Sequence, residues 1–186
     1  MRKKQLIDPR LKLLLQVLAT LAITCLVVRF VAAKTTVEGV SMYPTLTDKE
    51  SVLIDKLTYR TGEPERFDIV VFEEDISDTG YYIKRIIGLP GEQVTIDKRG
   101  NIYINGMVLR DSYGYGVIAD PGIAVNTVKV GEDEYFVLGD NRNNSTDSRF
   151  EEVGNIKRDQ ITGKVALRIW PIDRFGYIDL YMERKG

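Results

Sequence analysis

The sequence of 186 residues contains no histidine. Most serine enzymes activate the nucleophile with a histidine base. Because the chain has no histidine, a triad of serine, histidine and an acid is excluded. The chain also lacks the Ser-x-x-Lys motif of penicillin-binding enzymes and the Gly-x-Ser-x-Gly nucleophile elbow. A serine enzyme with this sequence therefore needs a base other than histidine.

Cysteine is nearly absent, and outside the N-terminal segment acidic residues outnumber basic ones. Cys25 is the only cysteine, so no intrachain disulfide can form, and its apolar surroundings do not favour a reactive thiolate. Residues 1–33 hold six Lys or Arg and one Asp, a net charge of +5, which leaves −6 for residues 34–186 because the whole chain carries −1. An acidic body argues against nucleic-acid binding.

One long apolar run lies near the N-terminus. Residues 13–33 contain few polar side chains and reach 21 residues, close to the ~20 that span a bilayer. Basic residues before the run favour a cytoplasmic N-terminus. We expect a cytoplasmic tail over 1–12, a transmembrane helix over 13–33, and an extracytoplasmic domain over 34–186. A cleavable signal peptide ending at Val31-Ala32-Ala33 is the alternative, and the length of the run and Arg29 favour an uncleaved anchor.

The body after residue 34 is rich in short β-branched and aromatic runs separated by turn residues, a pattern typical of strands. The clearest hairpin joins 102–104 to 107–109 through Asn105-Gly106, which accepts the positive φ angles of a tight turn. We expect a mainly β fold: a folded-over antiparallel β-sheet catalytic domain with residues 92–130 as a small β insertion, preceded by one N-terminal transmembrane helix. The other predicted strands are 52–54, 69–72, 81–87, 93–96, 125–130, 135–138 and 161–170.

Two residues stand out as a candidate nucleophile and base. Ser41 lies between Gly39 and Pro44, at the end of a predicted extended segment. Lys84 lies in the strand 81–87, next to Arg85, and alternation along a strand lets one of these cations face the interior. A free lysine has a pKa of ~10.4, and burial lowers it toward the range of a working base.

A polar loop over 139–149 follows a predicted strand. Its short polar side chains favour a rigid loop held by local hydrogen bonds. Asp147 and Arg149 are placed to form an ion pair, and Ser145 to orient an amine. A calcium loop is excluded because Arg142 falls on a ligand position and Ser145 replaces the required glycine.

Together and in this order, these segments resemble the bacterial type I signal peptidases, in the branch typical of Gram-positive bacteria. The resemblance covers nearly the whole chain: the apolar anchor is followed by GVSMYPTL, RFDIVVF, IKRIIGLPGE and VLGDNRNNSTDSR. It implies a serine endopeptidase that removes signal peptides from secreted preproteins through an acyl-enzyme. It also implies a cell-membrane location, contact with membrane lipid, a monomer, and no metal, cofactor or nucleic acid.

The resemblance assigns roles to individual residues. Ser41 matches the nucleophile and also supplies a backbone N–H to the oxyanion hole, and Lys84 matches the general base. Ser145 matches the serine that hydrogen-bonds the lysine, and Asp147 and Arg149 match a supporting ion pair. The residues implied to bind the substrate strand are Thr36, Val37, Glu38, Gly39, Tyr81, Tyr82 and Ile83.

One departure from the wider family concerns the oxyanion hole. Other branches place a serine or threonine two residues before the nucleophile, where its hydroxyl helps to bind the oxyanion, and here that residue is Gly39. The second donor is therefore not identified by the sequence. The alternative functions are a dedicated or inactive relative that assists surface-fibre (pilus) assembly, and a self-cleaving repressor-type peptidase.

Overall fold

The computed structural model describes residues 8–73 and 80–178. Within them the chain forms twelve strands in two antiparallel sheets, and the longer strands after residue 50 coincide with the β-branched and aromatic runs. The strands are β1 (Ala32–Thr36), β2 (Ser51–Asp55), β3 (Ile69–Glu73), β4 (Tyr81–Gly88), β5 (Gln93–Ile96), β6 (Ile102–Ile104), β7 (Met107–Val108), β8 (Val128–Lys129), β9 (Glu134–Leu138), β10 (Ile156–Lys157), β11 (Ile161–Trp170) and β12 (Gly176–Tyr177). The helices are α1 (Pro9–Val31) and the short α2 (Thr58–Thr61), with 3-10 turns at Gly122–Val125, Arg158–Gln160 and Ile172–Arg174.

Helix α1 differs from the predicted span 13–33. It ends at Val31, because Ala32 and Ala33 already belong to β1, where their backbones pair with Asp55 and Ile54 of β2. Across residues 8–73 and 80–178, no helix has the length together with the apolar character that crossing a membrane would demand. The predicted transmembrane helix is therefore not confirmed, and residues 1–7 of the predicted basic tail lie outside the described residues.

The larger sheet has the strand order β1-β2-β11-β3-β4-β9-β10, with β12 added beside β11. Every neighbouring pair is antiparallel, so β1 and β4 run in the same direction although three strands separate them. Residues of both β1 and β4 line one cleft, which means that the sheet folds over on itself. Gly163 permits this at β11, since a Cβ there would lie 2.5 Å from the carbonyl oxygen of Asp55.

The smaller sheet has the order β7-β6-β5-β8 and packs on the larger one. A buried cluster joins them, with Val94 and Ile96 of the small sheet against Ile87, Phe136 and Leu138 of the large one. A second cluster fills the inside of the folded-over sheet and includes Val52, Val71 and Val165. Apolar burial of this kind is the main stabilising contribution to such a fold.

The mainly antiparallel β fold is confirmed, with differences at several strands. The predicted strand 125–130 is reduced to β8, because Gly122–Val125 forms a 3-10 turn. Leu109 lies just beyond β7. Strands β1, β10 and β12 were not predicted. The domain bounds at 34–186 and 92–130 stay predictions.

Candidate active site

Ser41 lies in a turn that buried side chains fix to the core. Met42 and Leu46, which follow it, are fully buried in the inner cluster. The backbone N–H of Leu46 donates to the carbonyl of Met42 at 2.8 Å, which closes the turn. Gly39 enters the turn with φ +86°, a left-handed conformation that glycine adopts without the steric cost of a side chain. The hydroxyl of Ser41 is thereby placed at the wall of the cleft.

Lys84 lies in strand β4 and contacts Ser41. It pairs with Val70 in the middle of the sheet, and only 3% of its surface is exposed. Its Nζ lies 3.0 Å from Ser41 Oγ and donates to the carbonyl of Ile83 at 3.2 Å. The ring of Tyr82 lies 4.8 Å from Nζ. The two candidate catalytic residues, 43 positions apart in sequence, are thus in direct hydrogen-bond contact.

Burial changes the acidity of this lysine. Loss of solvation lowers the pKa of Lys84 to about 8, and the carboxylate of Asp147 opposes this with a smaller effect. An amine with that pKa is neutral in roughly one molecule in ten at pH 7, against about one in 2,500 for a free lysine. Lys84 can therefore accept a proton near neutral pH.

The loop 139–149 is held by the predicted ion pair. Arg149 donates to both oxygens of Asp147, at 2.8 and 2.9 Å, and both side chains are buried. Asp147 also accepts the backbone N–H of Gly139 at 3.0 Å, and Arg149 donates to the carbonyl of Arg142 at 2.6 Å. These bonds tie the two ends of the loop together behind the candidate site.

A second buried ion pair was missed in the sequence. Arg85 donates to both oxygens of Asp140, at 2.8 and 2.7 Å, and Thr45 donates its hydroxyl to the same carboxylate. This network connects the strand that carries Lys84 to the turn that carries Ser41. Alternation in β4 had indicated that Lys84 and Arg85 lie on opposite faces, but the partner of Arg85, 55 residues away, leaves no local signal.

Asn141 is another residue whose contact with the site was not predicted. Its backbone N–H donates to the carbonyl of Ser41 at 2.9 Å, and its side-chain amide donates to the carbonyl of Val40 at 3.1 Å. The carbonyls of Val40 and Ser41 are therefore both held by one residue of the 139–149 loop.

The contact predicted for Ser145 is not made in this structure. Its Oγ is buried and has no hydrogen-bond partner among the described residues. It packs against Gly139, where an added Cβ would lie 2.2 Å from that oxygen. Ser145 thus lies in the loop behind the pair but is not bonded to Lys84.

The backbone donors around Ser41 differ in their availability. The N–H of Gly39 is occupied, since it donates to Asp48 at 2.8 Å. The N–H of Ser41 donates to no acceptor among the described residues. It is therefore available to an oxyanion at the nucleophile.

A cleft of about 480 Å³ leads to the pair. Its walls are β1 with the segment after it, and the start of β4. Asn144 and Thr146 of the 139–149 loop also line it. All seven residues predicted to bind the substrate line this cleft: Thr36, Val37, Glu38, Gly39, Tyr81, Tyr82 and Ile83. Within the described residues, no three carboxylate or thiol side chains come together as a metal site would require.

Comparison with known proteins finds similarity to signal peptidases. Residues 10–170 match the family described as signal peptidase, peptidase S26. The chain is 40% identical to a probable signal peptidase I-2 of Synechocystis over 84% of its length and 72% of the relative. It is 34% identical to signal peptidase IB of Staphylococcus aureus over 94% of its length and 95% of the relative. A solved signal peptidase I from Enterococcus faecalis is 32% identical, with a TM-score of 0.46 over 56% of this chain and 97% of the other.

Proposed function

Because the chain belongs to the signal peptidase family, peptidase S26, we propose that Ser41 and Lys84 carry out its reaction. The protein is a serine endopeptidase of the signal peptidase I type, and it removes signal peptides from preproteins. The observation that supports the assignment is the 3.0 Å contact between Ser41 Oγ and the buried Nζ of Lys84. In a chain without histidine, this lysine is the base that the geometry offers.

The reaction begins with proton transfer across that contact. Neutral Lys84 takes the proton of Ser41 while Oγ attacks the carbonyl carbon of the scissile bond. The resulting ammonium then gives a proton to the leaving amine, which becomes the N-terminus of the mature protein. Lys84 next activates a water molecule that hydrolyses the acyl-enzyme and regenerates Ser41.

The negative charge that develops on the carbonyl oxygen needs preorganised donors. The backbone N–H of Ser41 supplies one of them. Gly39 supplies none from its side chain, and its own N–H is held by Asp48.

The loop 139–149 positions the base in this proposal. The Asp147–Arg149 pair fixes the loop, and during the reaction the charged amine of Lys84 turns to donate to the Ser145 hydroxyl, a bond that is not made in this structure. In support, the Ser145 hydroxyl has no partner among the described residues and so is available for that bond.

The substrate lies extended in the cleft, between the segment Thr36 to Gly39 and the start of β4 at Tyr81 to Ile83. A strand placed there adds to the sheet edges on both sides, so backbone hydrogen bonds give affinity and side-chain pockets give specificity. The observation in favour is that β1 and β4 run in the same direction, and each leads along the chain to one member of the Ser41–Lys84 pair.

Helix α1 attaches the enzyme to the cell membrane, with the N-terminus in the cytoplasm and the catalytic domain outside. Large apolar side chains on its described part are exposed, among them Leu13 and Ile23 at 63% and 62%. The charge of +5 over residues 1–33 also agrees with a cytoplasmic N-terminus. Its partners are then preproteins and membrane lipid, and it acts as a monomer.

Preprotein cleavage by detergent-solubilised full-length protein tests the assignment. Ser41→Ala and Lys84→Ala should each abolish formation of the shortened product, whereas Ser112→Ala, at an exposed serine, should not. Near-normal cleavage by Lys84→Ala at pH 7–8 would remove lysine from the mechanism. The alternative of a dedicated or inactive relative for pilus assembly is not favoured, since the similar proteins are signal peptidases I.

A further inference from the structure

Two exposed tyrosines lie beside the nucleophile but outside the cleft. The rings of Tyr43 and Tyr115 meet edge to face, with centroids 5.1 Å apart and an angle of 88°. Their exposed fractions are 41% and 53%, and neither residue lines the cleft. Exposed large aromatic side chains in mutual contact form a surface that can receive an extended peptide.

The backbone positions that carry the two rings are tied to the Ser41 turn, although the rings are exposed. Tyr43 is two residues further along the same turn. Tyr115 donates its backbone N–H to the carbonyl of Asp140 at 2.7 Å. Asn141, which follows Asp140, donates its N–H to the carbonyl of Ser41 at 2.9 Å. The position of the Tyr115 ring is thus linked to the nucleophile turn by two backbone hydrogen bonds.

The direction of the cleft decides which part of a substrate reaches these rings. The two walls are formed largely by residues that precede Ser41 and Lys84 along the chain, and in the proposed function they hold the residues before the scissile bond. The residues after the scissile bond must continue past Ser41, outside the cleft. Tyr43 follows Ser41 by two residues outside the cleft lining, and its ring contacts that of Tyr115.

We propose that Tyr43 and Tyr115 bind the first residues of the mature protein, those that follow the scissile bond. This inference rests on the proposed function, since it requires Ser41 to be the nucleophile and the cleft to hold the signal-peptide side. The surface favours an extended segment whose apolar atoms pack against the two rings. It would hold the leaving segment in line while the scissile carbonyl is attacked.

The test compares two substrates with the same acyl part, carrying small residues at the first and third positions before the cut. One continues for several residues beyond the cut, and the other ends there as a methyl ester. The full-length enzyme is compared with Tyr115→Ala, which removes the ring but keeps the backbone bond to Asp140, and with Tyr115→Phe, which keeps the ring. Met107→Ala, at a 74% exposed position of the smaller sheet, is the matched control.

We expect Tyr115→Ala to lower kcat/KM roughly three- to tenfold for the extended peptide and to leave the methyl ester unchanged. Tyr115→Phe and Met107→Ala should match the wild type on both substrates. An equal loss on both substrates would mean that the ring supports the Ser41 turn and would overturn the inference, as would no loss on either. A wild-type enzyme that cleaves neither substrate would instead overturn the proposed function, and this inference with it.

Discussion

Replacing Lys84 by methionine should abolish cleavage and at the same time stabilise the fold near neutral pH. The pKa of Lys84 is lowered from 10.5 to about 8 by burial. At about 1.4 kcal/mol for each pKa unit, holding the charged amine in the fold costs about 3 kcal/mol below pH 8. Methionine has a similar length, needs no solvation, and does not carry this cost.

The sign of the pH dependence follows from proton linkage. Between pH 8 and 10.5 the unfolded chain keeps the proton on Lys84 and the folded chain has lost it, so the stability of the wild type rises with pH across this window. The variant has no group that titrates at this position. Its advantage of about 3 kcal/mol should therefore hold below pH 8 and disappear by pH 10.5.

Denaturant unfolding of both full-length proteins at pH 7, 8, 9 and 10.5 measures this difference, because all other titrating groups are shared. Lys98→Met, at an exposed lysine, is the control for removing a lysine charge and should change stability at pH 7 by less than about 0.5 kcal/mol. A difference between wild type and Lys84→Met that stays constant from pH 7 to 10.5 would show that the lysine has an ordinary pKa. A base of that kind could not act as proposed.

Two further predictions concern the same region. The rate of cleavage, measured as kcat/KM, should fall about tenfold per pH unit well below pH 8. The reason is that only the neutral amine of Lys84 accepts the Ser41 proton. A pH-rate profile that is flat from pH 6 to 8 would contradict this. Arg85→Met should destabilise the fold by about 3–5 kcal/mol in denaturant unfolding, because it leaves the carboxylate of Asp140 buried without its partner. The control Arg110→Met, at an exposed position, should change stability by less than about 0.5 kcal/mol.

Much of the β architecture could be predicted because local composition decides it. The segments 69–72 and 93–96 consist mostly of β-branched or aromatic residues, and they form β3 and β5 close to the predicted bounds. Strand β1 could not be predicted in the same way. Its sequence, Ala-Ala-Lys-Thr-Thr, carries little strand preference, and pairing with β2 is what places it in the sheet.

The candidate site also has a part that the local sequence predicts and a part that it does not. Ser41, Lys84 and the pair Asp147–Arg149 lie in segments whose residue types indicate chemistry or local structure, and their proximity agrees with the prediction. The contacts of Asn141 with the nucleophile turn join segments about a hundred residues apart. Such contacts depend on how the sheet folds over, so no local pattern in the sequence reveals them.

The two adjacent cations of β4 show why residue identity matters at each position. Arg85 has a carboxylate within 2.8 Å, and its planar guanidinium matches both oxygens of Asp140. Lys84, on the opposite face, hydrogen-bonds a hydroxyl and a carbonyl instead of a carboxylate, so loss of solvation outweighs the effect of Asp147 and its pKa falls. Arginine at position 84 would stay charged at every relevant pH and could not serve as a base. The same strand therefore supplies a structural ion pair on one face and a proton acceptor on the other.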